Sequence, residues 1–373
     1  MRGLFANIVG QEMAVSILER ALEQGPAHAY LFSGPPGVGK TEAATDFAAG
    51  LACEAGGCGV CTTCGRVRQG LHPDVEIVAP EGNFIRKEEI TAINMHAVYR
   101  PFEARAKVYI FLEADNFNTE SANAFLKTLE EPPPHVYFIL VTDHVEKLLP
   151  TVVSRCQTVA FSPVSLKAAT AELEGRFGLS SEEANLLARA AAGNLSYARE
   201  LATSESARRQ RELLLDLARD LPIFGLMATQ SAVDEVMATV KRRAEERVAS
   251  LDGELHQALE WAGDARTRAW LQKRHEEKLK RQQRRLTTQG LQAVTRIGAS
   301  WYRDLAAVSV GAEGAVLNQD RLAELRVNAQ PGHLLGYTRA VLGVRQAQER
   351  LRYNVDASCA VADMFRSIKE ALV

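Results

Sequence analysis

Two groups of residues in this chain have the types and spacing to do chemistry, and they are neighbours. The first is Gly34-Pro-Pro-Gly-Val-Gly-Lys40-Thr41, which fits the pattern of a phosphate loop. In such a loop the glycines let successive backbone N–H groups turn toward phosphate oxygens, and the following helix adds its positive end. Gly34, Pro35, Gly37, Val38 and Gly39 would form the cradle, Lys40 would reach the β- and γ-phosphates, and Thr41 would ligate Mg²⁺. ATP or ADP with Mg²⁺ is the ligand this predicts; a loop kept only for its shape is the alternative. The second group is Cys53, Cys58, Cys61 and Cys64, spaced C-x4-C-x2-C-x2-C. Four thiolates this close together can complete one tetrahedral zinc site without help from the rest of the fold. Cys156 and Cys359 lie far away, with no partner at ligand spacing. The opening Met1-Arg2-Gly3-Leu4-Phe5 has no apolar stretch of signal-peptide length, so a cytoplasmic location is expected. Clustered cysteines in that reducing compartment mean metal rather than a disulfide.

Binding a nucleotide is one matter and hydrolysing it another. A phosphate-loop ATPase ends the strand that carries its metal ligand with Asp, followed by a Glu that polarises water. Here the strand reads Ile110-Phe111-Leu112-Glu113-Ala114-Asp115. Leu112 holds the Asp position and cannot ligate Mg²⁺, while Glu113 remains as the water-activating candidate. Asp115 is a conceivable substitute two positions further on. Thr142, ending a later strand, would either contact a γ-phosphate or simply terminate the strand. Arg155, in Ser154-Arg-Cys156, reads on these grounds as a surface or packing arginine rather than a catalytic one.

These residues need elements to position them. Gln11 to Leu22 has apolar residues at helical spacing, and His28-Ala-Tyr-Leu-Phe-Ser33 reads as a buried strand running into the loop. Thr41 to Leu51 resumes as a helix, which supplies the strand–loop–helix context the motif requires. Further strands are expected at Val75–Val78, Val108–Leu112, Val136–Val141 and Thr158–Phe161. A helix over Glu120–Glu130 stops before Pro132-Pro-Pro134. Strands alternating with helices predict a parallel α/β sheet. Beyond Pro163 three short helices are expected, over Leu166–Phe177, Ser181–Ala192 and Ser196–Ala202, with Ser180 or Ser181 as a cap. From about Ser204 the pattern is almost wholly helical, with breaks near Pro222, Gly311–Gly314 and Pro331-Gly332.

Lys and Arg number 44 and Asp and Glu 46 among 373 residues, a net charge of −2, so bulk charge does not announce a nucleic-acid binder. No apolar run approaches the ~20 residues needed to span a bilayer, so no membrane partner is expected. Charge is uneven, however. Between Arg266 and Arg285 nine basic residues face only Glu276 and Glu277. That run reads as a solvated helix face or as one lying near DNA phosphates. A second helical stripe, Leu291, Val294, Ile297, Trp301 and Leu305, would pack within its own domain or against another subunit.

The stretches Ile8-Val-Gly-Gln11, His28-Ala-Tyr-Leu-Phe, the phosphate loop and the cysteine cluster occur in an order that resembles one family. So do Asn123-Ala-Phe-Leu-Lys-Thr-Leu-Glu-Glu-Pro-Pro133 and Ser154-Arg-Cys156 further on. The family is the clamp-loader subunits of the AAA+ class, and the resemblance is carried by the first 200 residues or so. It implies an AAA+ nucleotide-binding α/β domain over 1–163 with a zinc module at 53–64. It further implies a helical lid over 164–203 and an all-α collar, through which subunits oligomerise, over 204–373. Val9 and Gly10 match positions near the adenine. Arg155 matches the arginine that such subunits insert in trans into a neighbour's ATP site. The four cysteines match the family's zinc module, with a shorter first gap. Ser196 stands where motor subunits carry an arginine, and Arg199 is three residues on. Leu112 and Ser196 together imply a stator relieved of hydrolysis, within the clamp loader of the bacterial replicative polymerase. The implied partners are other clamp-loader subunits of tau/gamma and delta type in a hetero-oligomer, the sliding clamp, and primer–template DNA reached through the complex. The alternatives are an ATP-hydrolysing motor subunit of the same complex and a zinc-containing DNA-binding scaffold. A phosphate-loop kinase for a small molecule would leave the cysteines, Arg155 and the helical C-terminal region unexplained.

Overall fold

Five short apolar runs become the strands of one parallel sheet. The computed structural model describes residues 3–80, 84–260, 265–351 and 355–372, with side chains outside 250–278 and 281. In chain order the strands are β1 (Ala29–Ser33), β2 (Val75–Val78), β3 (Lys107–Phe111), β4 (Val136–Thr142) and β5 (Gln157–Ala160). They lie side by side as β2-β3-β4-β1-β5, with every pairing parallel. β1, buried along nearly its whole length, sits between β4 and β5, which suits its unbroken apolar sequence. Ser33 pairs with Thr142 and Phe111 with Leu140, so β1, β3 and β4 end along one edge. Connections leaving that edge converge, and in open α/β sheets this is where ligands bind.

The helices of this part are α1 (Glu12–Gln24), α2 (Lys40–Ala52), α3 (Thr62–Arg68), α4 (Lys87–Ala97), α5 (Thr119–Glu130) and α6 (Pro150–Val153). Asn118 caps α5 by accepting from Ser121 N, and the prolines after Glu131 prevent its continuation. On one face of the sheet Phe125 of α5 packs on Phe111 and Phe138, with ring centroids 5.1 and 5.0 Å apart. On the other, Phe47 of α2 meets the edge of Tyr30 at 4.7 Å. Each buried ring contributes about 1.5–3 kcal/mol, so these clusters fix where α2 and α5 lie on the sheet. Three helices follow: α7 (Leu166–Phe177), α8 (Ser181–Ala191) and α9 (Leu195–Thr203). Ser165, Ser180 and Asn194 accept backbone N–H groups at their starts.

The chain divides into two compact units, Met1–Ala202 and Thr203–Val373. The helices read as a lid therefore fall in the same unit as the sheet. The second unit is all-helical: α10 (Glu205–Asp220), α11 (Leu226–Glu260), α12 (Ala265–Ser309), α13 (Leu322–Asn328), α14 (Leu334–Arg350) and α15 (Ala357–Leu372). The stripe Leu291, Val294, Ile297, Trp301 and Leu305 on α12 is buried within this unit, with Trp301 1% exposed. Of its two readings, the structure takes internal packing. Asp304 of the same helix is fully buried and accepts the backbone N–H groups of Leu317 and Asn318. Most side chains of the basic run between Arg266 and Arg285 lie outside the described residues. Among the described residues no helix is long and apolar enough to cross a membrane.

Candidate nucleotide and metal sites

The phosphate loop leaves β1 at Ser33 and enters α2 at Lys40. Its lysine is 4% exposed, and its ammonium is fully engaged within the chain. Lys40 Nζ donates to the carbonyl oxygens of Gly34 at 2.8 Å and Pro35 at 2.5 Å, and pairs with Asp143 Oδ1 at 2.7 Å. Asp143 directly follows Thr142 at the end of β4, so a carboxylate occupies the position from which Lys40 would address a phosphate. The start of α9 closes the loop from the other side. Ser196 N donates to Gly37 O at 3.0 Å. Gly37 has φ +70°, and a Cβ there would fall 1.8 Å from Asn194 Oδ1. Only glycine fits both the backbone angle and the contact.

The segment carrying Val9 and Gly10 is held next to this loop. Gln11 Nε2 donates to Ser162 O at 2.7 Å, and its Oε1 accepts from Ser162 N at 3.0 Å. This places half-buried Val9 and Gly10 beside the start of α7, where a Cβ on Gly10 would meet Val164 at 3.3 Å. Ile8 reaches Gly39, so the cradle and the 8–11 segment form one continuous wall. Val38 is buried, and Thr41, half-buried, occupies the second position of α2.

The remaining candidates are placed less simply. Leu112, 4% exposed, follows β3 directly, and its N–H donates to Val78 O at 2.8 Å. An aliphatic side chain thus stands at the end of β3, where the sequence pattern would have placed a metal-binding Asp. Glu113 takes a left-handed backbone, φ 52° and ψ 48°, unusual for a residue with a Cβ. Its carboxylate accepts from Asn116 Nδ2 at 3.3 Å. Thr142 Oγ1 donates to Asp115 Oδ1 at 2.8 Å and accepts from His144 N at 2.9 Å. Thr142, the last residue of β4, and Asp115 are thus hydrogen-bonded to one another. Arg199 is paired with Glu172 and donates to Asn7 O at 3.3 Å. Arg155 lies just beyond α6, its side chain 33% exposed, paired with Glu130 and donating to Thr151 O at 2.9 Å. Asp143, Asn194 and Glu130 escape a reading of the sequence alone. Asp143 beside a strand-ending threonine, and Asn194 at a helix start after Gly193, were the available signals.

The four cysteines come together at the far end of α2. Cys53 ends that helix, Cys58 lies on the following loop, and Cys61 and Cys64 belong to the start of α3. All four sulfurs lie within 4.8 Å of one another. Cys53 Sγ stands 3.9 Å from Cys58 Sγ and 3.7 Å from Cys61 Sγ. Tetrahedral zinc with Zn–S bonds of about 2.3 Å requires sulfurs about 3.8 Å apart, so the set fits a four-coordinate metal. Cys61 Sγ also accepts from Cys64 N at 3.4 Å, at the positive end of α3. Burial pushes the Cys53 thiol up, but backbone N–H groups of Cys58, Gly57 and Ala55 overcome this and bring it down to about 6. Burial drives Cys64 the other way, to about 12. These four cysteines could hold a metal.

The family model described as "DNA polymerase III, delta subunit" matches residues 10–165. The chain is 28% identical over 364 residues to DNA polymerase III subunit delta' of Bacillus subtilis, covering 96% of each. It is 34% identical over 268 residues to DNA polymerase III subunit tau of Escherichia coli, covering 69% of this chain and 41% of that protein. A solved DNA polymerase III gamma subunit-related protein from Thermotoga maritima aligns at 16% identity with a TM-score of 0.46, over 96% of this chain and 100% of that one. With a family match spanning its phosphate loop, cysteines and Arg155, and one relative matched end to end, the chain is a homologue of the DNA polymerase III subunits delta' and tau.

Proposed function

We propose that this chain is a delta'-type clamp-loader subunit of a bacterial replicative DNA polymerase and works there as a stator. In this reading it offers Arg155 to the ATP site of a neighbouring subunit and helps to place the sliding clamp on primed DNA, in the cytoplasm. Its neighbours are subunits of tau/gamma and delta type, and the all-α unit from residue 204 is the collar that joins it to them. The sheet domain would end near residue 163 and the lid near residue 203. The observation that carries the reading is Leu112. Buried at the end of β3, it leaves Mg²⁺ only Thr41, water and the phosphates themselves as ligands. The cradle in this reading admits ATP or ADP, held by backbone N–H groups of the loop with Lys40. The four cysteines hold one structural zinc, which supplies no chemistry beyond fixing the ends of α2 and α3.

The test is ATP turnover by the isolated chain, with Leu112→Asp as companion. Turnover near zero is expected, and rates like those of an active AAA+ motor would overturn the stator reading. A motor subunit is the second reading, favoured by the 34% identity to the E. coli tau subunit, and the same measurement decides it.

A further inference from the structure

Three segments bring sulfur to the candidate metal site, and one side chain ties all three together. Arg68 closes α3, four residues after Cys64 and so on the same face of that helix. Its Nη1 donates to the carbonyl of Gly59, between Cys58 and Cys61, at 2.8 Å. Its Nε donates to Asp46 Oδ1 at 2.6 Å. Asp46 is 5% exposed and lies on α2 two turns before Cys53. Arg68 Nη2 donates to the carbonyl of Leu4, at 2.9 Å, in the segment that covers the loop. The loop has little room of its own: Gly57 has φ +104°, and a Cβ there would lie 2.8 Å from Leu4 Cδ2 and 3.2 Å from Gly50 Cα of α2.

We propose that Arg68 is the positioning residue of the metal module: one guanidinium clamps the Cys58–Cys61 loop and α3 onto α2, so that the four sulfurs converge. The inference rests on the metal reading of the cysteines. It assigns no ligand role to Arg68, whose nitrogens bond only oxygen. Three acceptors on three segments need the planar, multi-donor fork of arginine; a lysine ammonium could not reach them together. Residues that support a ligand shell in this way change metal affinity about 10–100-fold when replaced.

The test uses the full chain, with Zn²⁺ competed by a chelator of known affinity and Co²⁺ as the spectroscopic probe. The parent protein should take up one equivalent, and Arg68→Ala also one, released about 10–100-fold more readily. Its Co²⁺–thiolate bands should shift or broaden as the sulfurs lose their fixed spacing. Arg68→Lys should fall between the two, and Asp46→Asn should weaken binding in the same direction. The metal-free forms of parent and Arg68→Lys should melt at the same temperature. A drop in their stability matching the loss of metal affinity would make Arg68 an ordinary structural residue and overturn the proposal. Parent-like affinity and spectra in both Arg68 variants would overturn it as well. If Arg68→Ala does not fold, Arg68→Lys and Asp46→Asn decide by the same measures. A parent chain that takes up no metal removes the metal reading itself, a result distinct from parent binding that the variants leave unchanged.

Discussion

Arg155 has both terminal nitrogens engaged inside the chain, by Thr151 O and the Glu130 carboxylate, yet a third of its side chain remains exposed. An exposed pair of this kind contributes about 0–1 kcal/mol, so Arg155→Ala should melt within that margin of the parent. In a reconstituted complex the same variant should assemble normally and lose ATPase activity and clamp loading. Trans arginines of this kind are worth roughly 10³–10⁵ at the site they serve. Parent-like activity in the assembled mutant would reduce Arg155 to a surface residue. Asp143 governs Lys40, the cation of the phosphate loop. A phosphate reaching Lys40 must displace a carboxylate that is 38% exposed and hence partly screened. Asp143→Asn should therefore tighten ATP binding by no more than about 5-fold, the equivalent of about 1 kcal/mol. Calorimetric titration that finds weaker binding would mean that Asp143 helps the ligand. The phosphate loop and the cysteines are legible in the sequence because their parts are contiguous. Lys40–Asp143, Arg68–Asp46 and Asn194 against Gly37 are not, since each joins residues that only the folded sheet and lid bring together.

At the level of elements, the cysteine module is short, local and attached to the sheet through α2. Cys61→Ser with Cys64→Ser should remove the metal, about one equivalent by elemental analysis, while the far-ultraviolet signature of the sheet and its helices survives. Full metal retention would exclude these cysteines as the ligands. The turn before β3 is held by a different device. Asp74, 4% exposed, accepts the backbone N–H groups of Phe102, Glu103 and Ala104 at 2.6, 2.8 and 2.9 Å. Burial pushes its pKa up, but these three donors outweigh it and hold the carboxyl below the ordinary range. A depressed carboxyl stabilises the fold above its unfolded pKa of about 3.9, and that contribution is lost as pH falls through the lower folded value. Asp74→Ala should cost about 1–3 kcal/mol at neutral pH, with a smaller difference from the parent below about pH 4. A gap that stays constant on acidification would show that the charge plays no part. The strands were readable as apolar runs bounded by turns, with ends displaced by one residue at β1, β3, β4 and β5. α4 was not, because Lys87–Ala97 mixes polar residues through its length and presents only a narrow apolar face, Ile90, Ile93 and Ala97.

Each unit of the molecule carries its own core, the first around the aromatic residues of the sheet and the second around Trp301 and Tyr302 of α12. The helical character of the second unit was plain from composition and spacing. The destination of its main apolar stripe was not, since a face that packs internally and one that packs on a partner read alike. Within the first unit, the bond from Ser196 to the Gly37 carbonyl and the seat of Asn194 on Gly37 have a temporal consequence. Together they tie the N-terminus of α9 to the loop at Gly37. If a nucleotide enters only when the two part, its arrival is gated rather than diffusion-controlled. In stopped-flow mixing the observed rate should climb with ATP concentration and level off at the frequency of parting, instead of rising in a straight line. Asn194→Ala should lift the ceiling, and a line that never bends would mean that the door stands open.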